Sequence, residues 1–111
     1  MIHSDVIRGH IDTIILKLLL EKDMYGYEIA NEIKLRTNNK FNIKEATLYS
    51  VVGRLESREL IVSYTGEKTH GGKRRYYRVT SLGKAYYKEM IQEWMLLREI
   101  MIDMLGSDLG E

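Results

Sequence analysis

The chain has 111 residues, 44% of them hydrophobic and 30% charged, with a net charge of +1 and no cysteine. That is the size of one domain, or one domain plus a long terminal helix, and the apolar content excludes a disordered chain. The missing cysteines exclude a disulfide framework and a thiolate zinc site.

The densest apolar stretch, Ile14 to Leu20, is interrupted by Lys17 and falls far short of the about 20 residues a membrane span needs. No charged-then-apolar leader opens the chain, so a cytoplasmic protein with no membrane partner is expected. Charge is unevenly placed. Residues 1–43 are neutral, residues 44–84 carry nine basic against four acidic side chains, and residues 85–111 have a net charge of −4. A positive middle on a near-neutral whole is the footprint of a surface that meets phosphates.

Proline is absent, and no repeat or low-complexity tract interrupts the pattern. The first helix is expected over Arg8–Glu21, where Ile11, Ile14, Ile15, Leu18 and Leu19 recur at helical spacing. Leu16 and Leu20 widen that face, and residues 1–7 either extend the helix or form a short one of their own. Lys22–Met24 reads as a turn. A second helix follows from Tyr25 to about Arg36, with Ile29, Ala30 and Ile33 inward. Gly26 in its first turn admits a close neighbour, which is either another helix or a phosphate at the positive helix end.

Thr37–Phe41 reads as a loop. Asn42 stands three residues before Glu45, the spacing of a capping box, so the third helix is expected from near Lys44 to near Ser57. Leu48, Val51, Val52 and Leu55 point inward. The opposite face carries Ala46, Thr47, Ser50, Gly53 and Arg54, with Tyr49 at its edge. A plain solvent surface would favour Lys and Glu for helix propensity, and a glycine there costs about 1 kcal/mol relative to alanine. Small residues beside one arginine let a helix sit deep in a major groove, where hydroxyls and methyls reach base edges. The competing reading is a packing surface for a protein partner.

Leu60–Tyr64 reads as a strand, Thr65–Lys73 as a loop, and Arg74–Val79 as a second strand alternating Arg75, Tyr77, Val79 against Arg74, Tyr76, Arg78. The charges protect an exposed edge and suit phosphate contact. Thr80–Ser81 caps a fourth helix running to about Leu105, with Gly106 as its stop. That helix carries more apolar surface than one small domain can bury, which predicts an isologous homodimer. The fold class is therefore mainly α with a small β-hairpin. Residues 1–80 form a winged helix-turn-helix, and residues 81–111 a long C-terminal dimerisation helix with a short tail.

Three stretches, YGYEI at 25–29, ATLYSVVGRLE at 46–56 and GGKRRYYRVTSLGK at 71–84, together resemble the PadR-like transcriptional regulators, over about residues 8 to 105. Their order and spacing are highly specific, and the single C-terminal helix resembles the small subgroup of that family. The resemblance implies a homodimer that represses transcription from an inverted-repeat operator in double-stranded DNA. It implies Thr47, Tyr49, Ser50 and Arg54 on the reading helix against DNA, Tyr25 and Tyr27 near the backbone, and Lys68, Lys73 and Arg74 on the wing. Lys44 and Ala46 complete the expected contact set. One departure stands out: the family usually has glycine just before the strand-opening Leu-Ile, and here that position is Glu59, which would be strained if left-handed.

Some small members of the family bind planar aromatic compounds between paired tryptophans at the dimer centre. The matching residue is Trp94, with Met90, Met95, Leu97 and Met101 around it as adaptable walls. The plainer reading of that stripe is dimer packing. An enzyme is not expected, because His3, His10 and His70 lie near no nucleophile or carboxylate pair, and GEKTHGGK lacks the spacing of a nucleotide cradle. No cofactor is expected. A metal sensor would need a site shared across a dimer, since His3 and His10 are two helical turns apart. A winged helix reused as a protein-interaction module is the remaining alternative.

Overall fold

The computed structural model describes residues 2–69 and 72–111, with the side chains of residues 67–69 excepted. Helices α1 (Ser4–Ile7) and α2 (Ile11–Glu21) are joined by a single 3-10 turn, Arg8–His10. α2 is the hub of the core: Ile15 and Leu16 are fully enclosed, and Ile11, Leu18 and Leu19 nearly so. The widened apolar face thus buries two sides of one helix, as its pattern predicts. A two-residue strand β1 (Met24–Tyr25) leads into α3 (Gly26–Arg36), whose Ile29 and Ile33 face inward. The Glu28 carboxylate accepts a hydrogen bond from the Tyr25 N–H at 3.2 Å, holding the start of α3.

The strand β1 departs from the expected turn at Lys22–Met24. Met24 is buried and pairs antiparallel with Tyr77, and Tyr25 pairs with Tyr76. Burying the Met24 side chain draws this segment into the sheet, and no local signal announces a strand so short.

After α3, Asn38 and Asn39 take positive φ of 51° and 65°, a region asparagine tolerates. The Thr37 hydroxyl donates to the Ile33 carbonyl at 2.8 Å and accepts from the Phe41 N–H at 3.3 Å, which seats Phe41 in the core. The helix α4 (Glu45–Ser57) begins within a residue of expectation, but not by the expected cap. Asn42 is engaged with Asn39 at 2.7 Å, and Lys44 holds the cap position without a side-chain bond. Because the helix starts at Glu45, Asn42 lies two residues before the cap position, and its amide donates to the Asn39 side-chain oxygen instead.

α4 closes with Glu59 in the left-handed region, φ 61°. The Leu60 N–H donates to the Leu55 carbonyl at 3.0 Å and the Glu59 N–H to the Glu56 carbonyl at 2.9 Å. This is a Schellman closure with Leu55 and Leu60 both buried against each other's turn. The strain expected of Glu59 is present. Glu59→Gly should raise stability by roughly 0.5–1 kcal/mol, since relief of the left-handed penalty exceeds the extra entropy glycine loses on folding. Urea denaturation of the two proteins checks it.

Strands β2 (Ile61–Thr69) and β3 (Gly72–Val79) form the ribbon, and the sheet order is β1-β3-β2. The strands run well beyond the expected ends, into what reads as loop at Thr65–Lys73. Pairing holds from Ile61↔Val79 to Thr65↔Arg75, shifts by one residue, and resumes at Lys68↔Lys73. Gly66 sits at the shift. A side chain there would enter the Tyr76 ring, so the glycine that looks like a turn signal instead lets Tyr76 lie across the strand.

α5 (Ser81–Leu105) has the expected length, and the Thr80 hydroxyl accepts from the Gly83 N–H at 3.0 Å as its cap. Gly106 does not stop it in a left-handed turn. The chain continues as a 3-10 turn, Gly106–Leu109, and Gly110 takes the positive φ of 82°. Of the 25 residues in α5, Gly83 alone is buried. Trp94, Leu96, Ile100 and Met104 are exposed, Met104 to 77%. Among the described residues no helix is long and apolar enough to cross a membrane.

Candidate nucleic-acid interface

The inner stripe of α4, Leu48, Val51, Val52 and Leu55, is buried, so the helix is fixed by its apolar side and its other side is fully presented. Ala46, Thr47, Tyr49, Ser50, Gly53 and Arg54 are all exposed. A side chain built at Gly53 would meet nothing within 4 Å. No internal packing therefore explains this glycine, and its helix-propensity cost of about 1 kcal/mol is not offset within the chain. Arg54 takes part in none of the ion pairs among the described residues.

Gly26 has a different explanation. A side chain there would come within 2.6 Å of the Tyr49 hydroxyl, so the glycine receives Tyr49 where α3 and α4 meet. Helix contact is what the structure gives for this residue. Tyr49 lies over the gap with 48% of its surface exposed, and Tyr27, one position past Gly26, is 71% exposed beside it. Lys44 is exposed at the start of α4.

The outer face of the sheet carries three tyrosines in a row. Tyr64 and Tyr76 stack at 5.8 Å, and Tyr25 meets Tyr76 edge-on at 5.5 Å. Arginines close both ends, Arg74 over Tyr25 at 4.3 Å and Arg78 over Tyr64 at 4.9 Å. Arg74 and Tyr25, both expected as DNA contacts, thus form one unit. Asp23 anchors the far end, accepting from the Tyr64 hydroxyl at 2.5 Å and pairing with Arg78 at 3.0 Å. Donating to this carboxylate pushes the Tyr64 hydroxyl's pKa up, and the same pairing raises that of Arg78. Tyr77, on the opposite face, is raised by burial. Lys73 is exposed on β3; the side chain of Lys68, and His70, lie outside the described residues.

Sequence reasoning passed over Asp23, Glu56, Ser63 and Arg78. Asp23 lies 55 residues from Arg78 and 41 from Tyr64, and no spacing rule connects residues that far apart. The root of α5 was equally unannounced. The Tyr86 hydroxyl donates to Asp12 at 2.8 Å while Arg58, at the end of α4, lies 4.7 Å over the Tyr86 ring.

Trp94 borders an apolar cleft of about 580 Å³ between the N-terminal helices and α5, lined also by Ile7, His10, Ile14, Leu18, Tyr87 and Ile91. Met90, Leu97 and Met101 are not among its walls. Leu97 and Met101 are exposed further along α5 and Met90 is half-buried. Within one chain the cleft sets Trp94 across from α2, and none of Met90, Met95, Leu97 and Met101 lines it. His3 and His10 join no metal-binding cluster among the described residues.

Residues 15–89 match the model of the transcriptional regulator PadR-like family. A protein of Lysinibacillus sphaericus is 61% identical over 101 residues, covering 91% of this chain and 93% of its own. The structure of a transcriptional regulator from Clostridium thermocellum superposes with a TM-score of 0.86 at 50% identity, over 93% of this chain and 97% of that one. Bacillus subtilis PadR, solved with operator DNA, shares the fold at a TM-score of 0.67 and 19% identity, over 84% of this chain and 57% of its own. The family is one of transcriptional regulators, not of enzymes, and this winged-helix chain with its long C-terminal helix belongs to the PadR-like family.

Proposed function

We propose that this protein is a sequence-specific DNA-binding repressor in the cytoplasm, acting as a homodimer on an inverted-repeat operator. The observation that carries the reading is the outer face of α4: exposed, small-chained, open at Gly53 and bearing Arg54. Such a face fits a major groove, with Ala46, Thr47, Tyr49 and Ser50 reaching base edges and Arg54 donating to a guanine. Tyr25, Tyr27 and Lys44 would lie along the backbone, and Lys68, Lys73 and Arg74 on the ribbon would follow the flanking phosphates. Residues 1–80 act as the reading unit. Residues 81–111 act as the dimerisation helix and tail, whose exposed apolar length is the surface two copies would share.

The test is the affinity for a duplex carrying the upstream region of its own gene, measured at several salt concentrations against a scrambled duplex. With six to ten phosphates neutralised per dimer, about 10³–10⁵ in affinity should be lost between 50 and 200 mM salt. Affinity indifferent to both salt and sequence would overturn the reading in favour of a protein-interaction module.

The cleft beside Trp94 supports a finer reading, release from DNA by a planar aromatic effector. It has the volume and apolar lining of a small-molecule site, and Met90, Leu97 and Met101 would line it only from a partner's helix. Trp94 is the single tryptophan, so quenching of its fluorescence reports occupancy. Trp94→Ala should abolish the heat of binding of planar aromatic cations in titration calorimetry and keep operator affinity. If operator affinity collapses with it, Trp94 is structural and the effector reading fails.

A further inference from the structure

Glu56 is out of place by two electrostatic arguments. It lies in the last turn of α4, where the helix dipole disfavours negative charge, and in the most basic third of the chain, where an approaching phosphate would be repelled. Its surroundings supply a reason for it. One oxygen, Oε2, accepts from the Ser63 hydroxyl at 2.6 Å and pairs with the Arg75 guanidinium at 3.4 Å. Ser63 and Arg75 are on β2 and β3, on the face of the ribbon that turns toward α4. A single half-buried carboxylate therefore ties the reading helix to both strands of the wing.

We infer that Glu56 is a positioning residue for DNA recognition: through Ser63 and Arg75 it sets the pitch of the wing relative to the reading helix. The inference rests on the proposed DNA-binding function. A ribbon attached only at its base would swing about the end of α4, and its cations would then reach flanking phosphates in many registers. Held at Glu56 on one face and at Asp23 on the other, through Tyr64 and Arg78, the wing has one angle. The reading helix and the wing are then presented to the duplex as one rigid body, without the entropic cost of ordering the ribbon at the moment of binding. The same contact draws the exposed Arg75 guanidinium back toward α4.

Two variants test this in the full-length protein. Glu56→Gln keeps an oxygen for Ser63, whereas Glu56→Ala keeps nothing. Glu56→Ala should lower the ratio of operator to scrambled-duplex affinity by about tenfold, with Glu56→Gln within about threefold of the wild type. Amide hydrogen exchange of Ser63 to Thr65 and Arg75 to Tyr77, measured without DNA, should quicken in Glu56→Ala. Tighter binding by both variants to both duplexes would show that Glu56 is merely a repelling charge, and would overturn the inference. Unchanged exchange in Glu56→Ala would overturn the latch whatever the DNA result. Absence of binding by the wild type itself would instead bring down the DNA reading, and the positioning role with it.

Discussion

Arg54→Ala is expected to cost about 1–3 kcal/mol per half-site, roughly tenfold to a hundredfold in operator affinity for each. The reasoning is geometric. Arg54 is exposed on the open side of α4, beside the uncovered Gly53, and joins none of the ion pairs among the described residues. It is therefore available to an external acceptor, and a guanidinium presents two parallel donors that match the acceptor pair of guanine. Alanine has at least equal helix propensity, and the replaced side chain buries nothing, so folding stability should change by no more than about 0.5 kcal/mol. Arg54→Lys separates the two roles of the residue. It keeps the charge but loses the paired donors, so affinity for scrambled duplex should persist while preference for the operator falls. Competition binding with both duplexes, alongside a melting curve, decides between base reading and simple phosphate contact. Equal losses on both duplexes would assign Arg54 to the backbone.

The second large effect is on the fold. Gly83→Ala is expected to destabilise the protein by about 2 kcal/mol, lowering Tm by on the order of 10 °C. Helix propensity alone argues the other way, since alanine is worth up to about 1 kcal/mol over glycine in a helix interior. Sterics win because of what the new methyl would meet. It would enter the Leu60 carbonyl oxygen and approach the Val79 side chain at 2.7 Å. That oxygen is also held in place. It accepts from the Thr80 N–H at 3.0 Å and from the Thr80 hydroxyl at 3.1 Å, so it cannot retreat without breaking the cap of α5. Calorimetry of the variant checks the sign, and a rise in Tm would refute the close packing. Leu60 ends the closure of α4 and Gly83 lies in the first turn of α5, so the ends of the two helices are packed together here.

Much of this was legible in the residues themselves. The apolar positions of α2, α3 and α4 recur at helical spacing, and the buried set follows them closely. Burial of a helix stripe is decided locally, because the period that makes the stripe is a property of the helix alone. The left-handed backbone at Glu59 was legible through the family resemblance, which usually has glycine at that position. The open face of α4 was visible as a run of residues that solvent does not favour. Other expectations failed where one residue type serves two ends. Asn42 has the spacing of a cap but lies two residues before the cap position, and Gly66 looks like a turn but serves Tyr76 across the ribbon. Within one chain Trp94 lines a cleft with residues of α2, whereas periodicity along α5 groups it with Met90 and Leu97.

The amino-acid sequence by itself determined the helices, the basic centre of the chain and the family, because each is carried by residues close together along the chain. Only the tertiary structure decided how the wing is held and how α5 is rooted. Asp23 with Arg78, Glu56 with Ser63 and Arg75, and Asp12 with Tyr86 are pairings across 7 to 74 residues of chain. Each depends on a side chain meeting one particular partner out of many of the same type. Helical periodicity repeats every few residues and survives averaging over them, whereas a single long-range hydrogen bond has no period to detect.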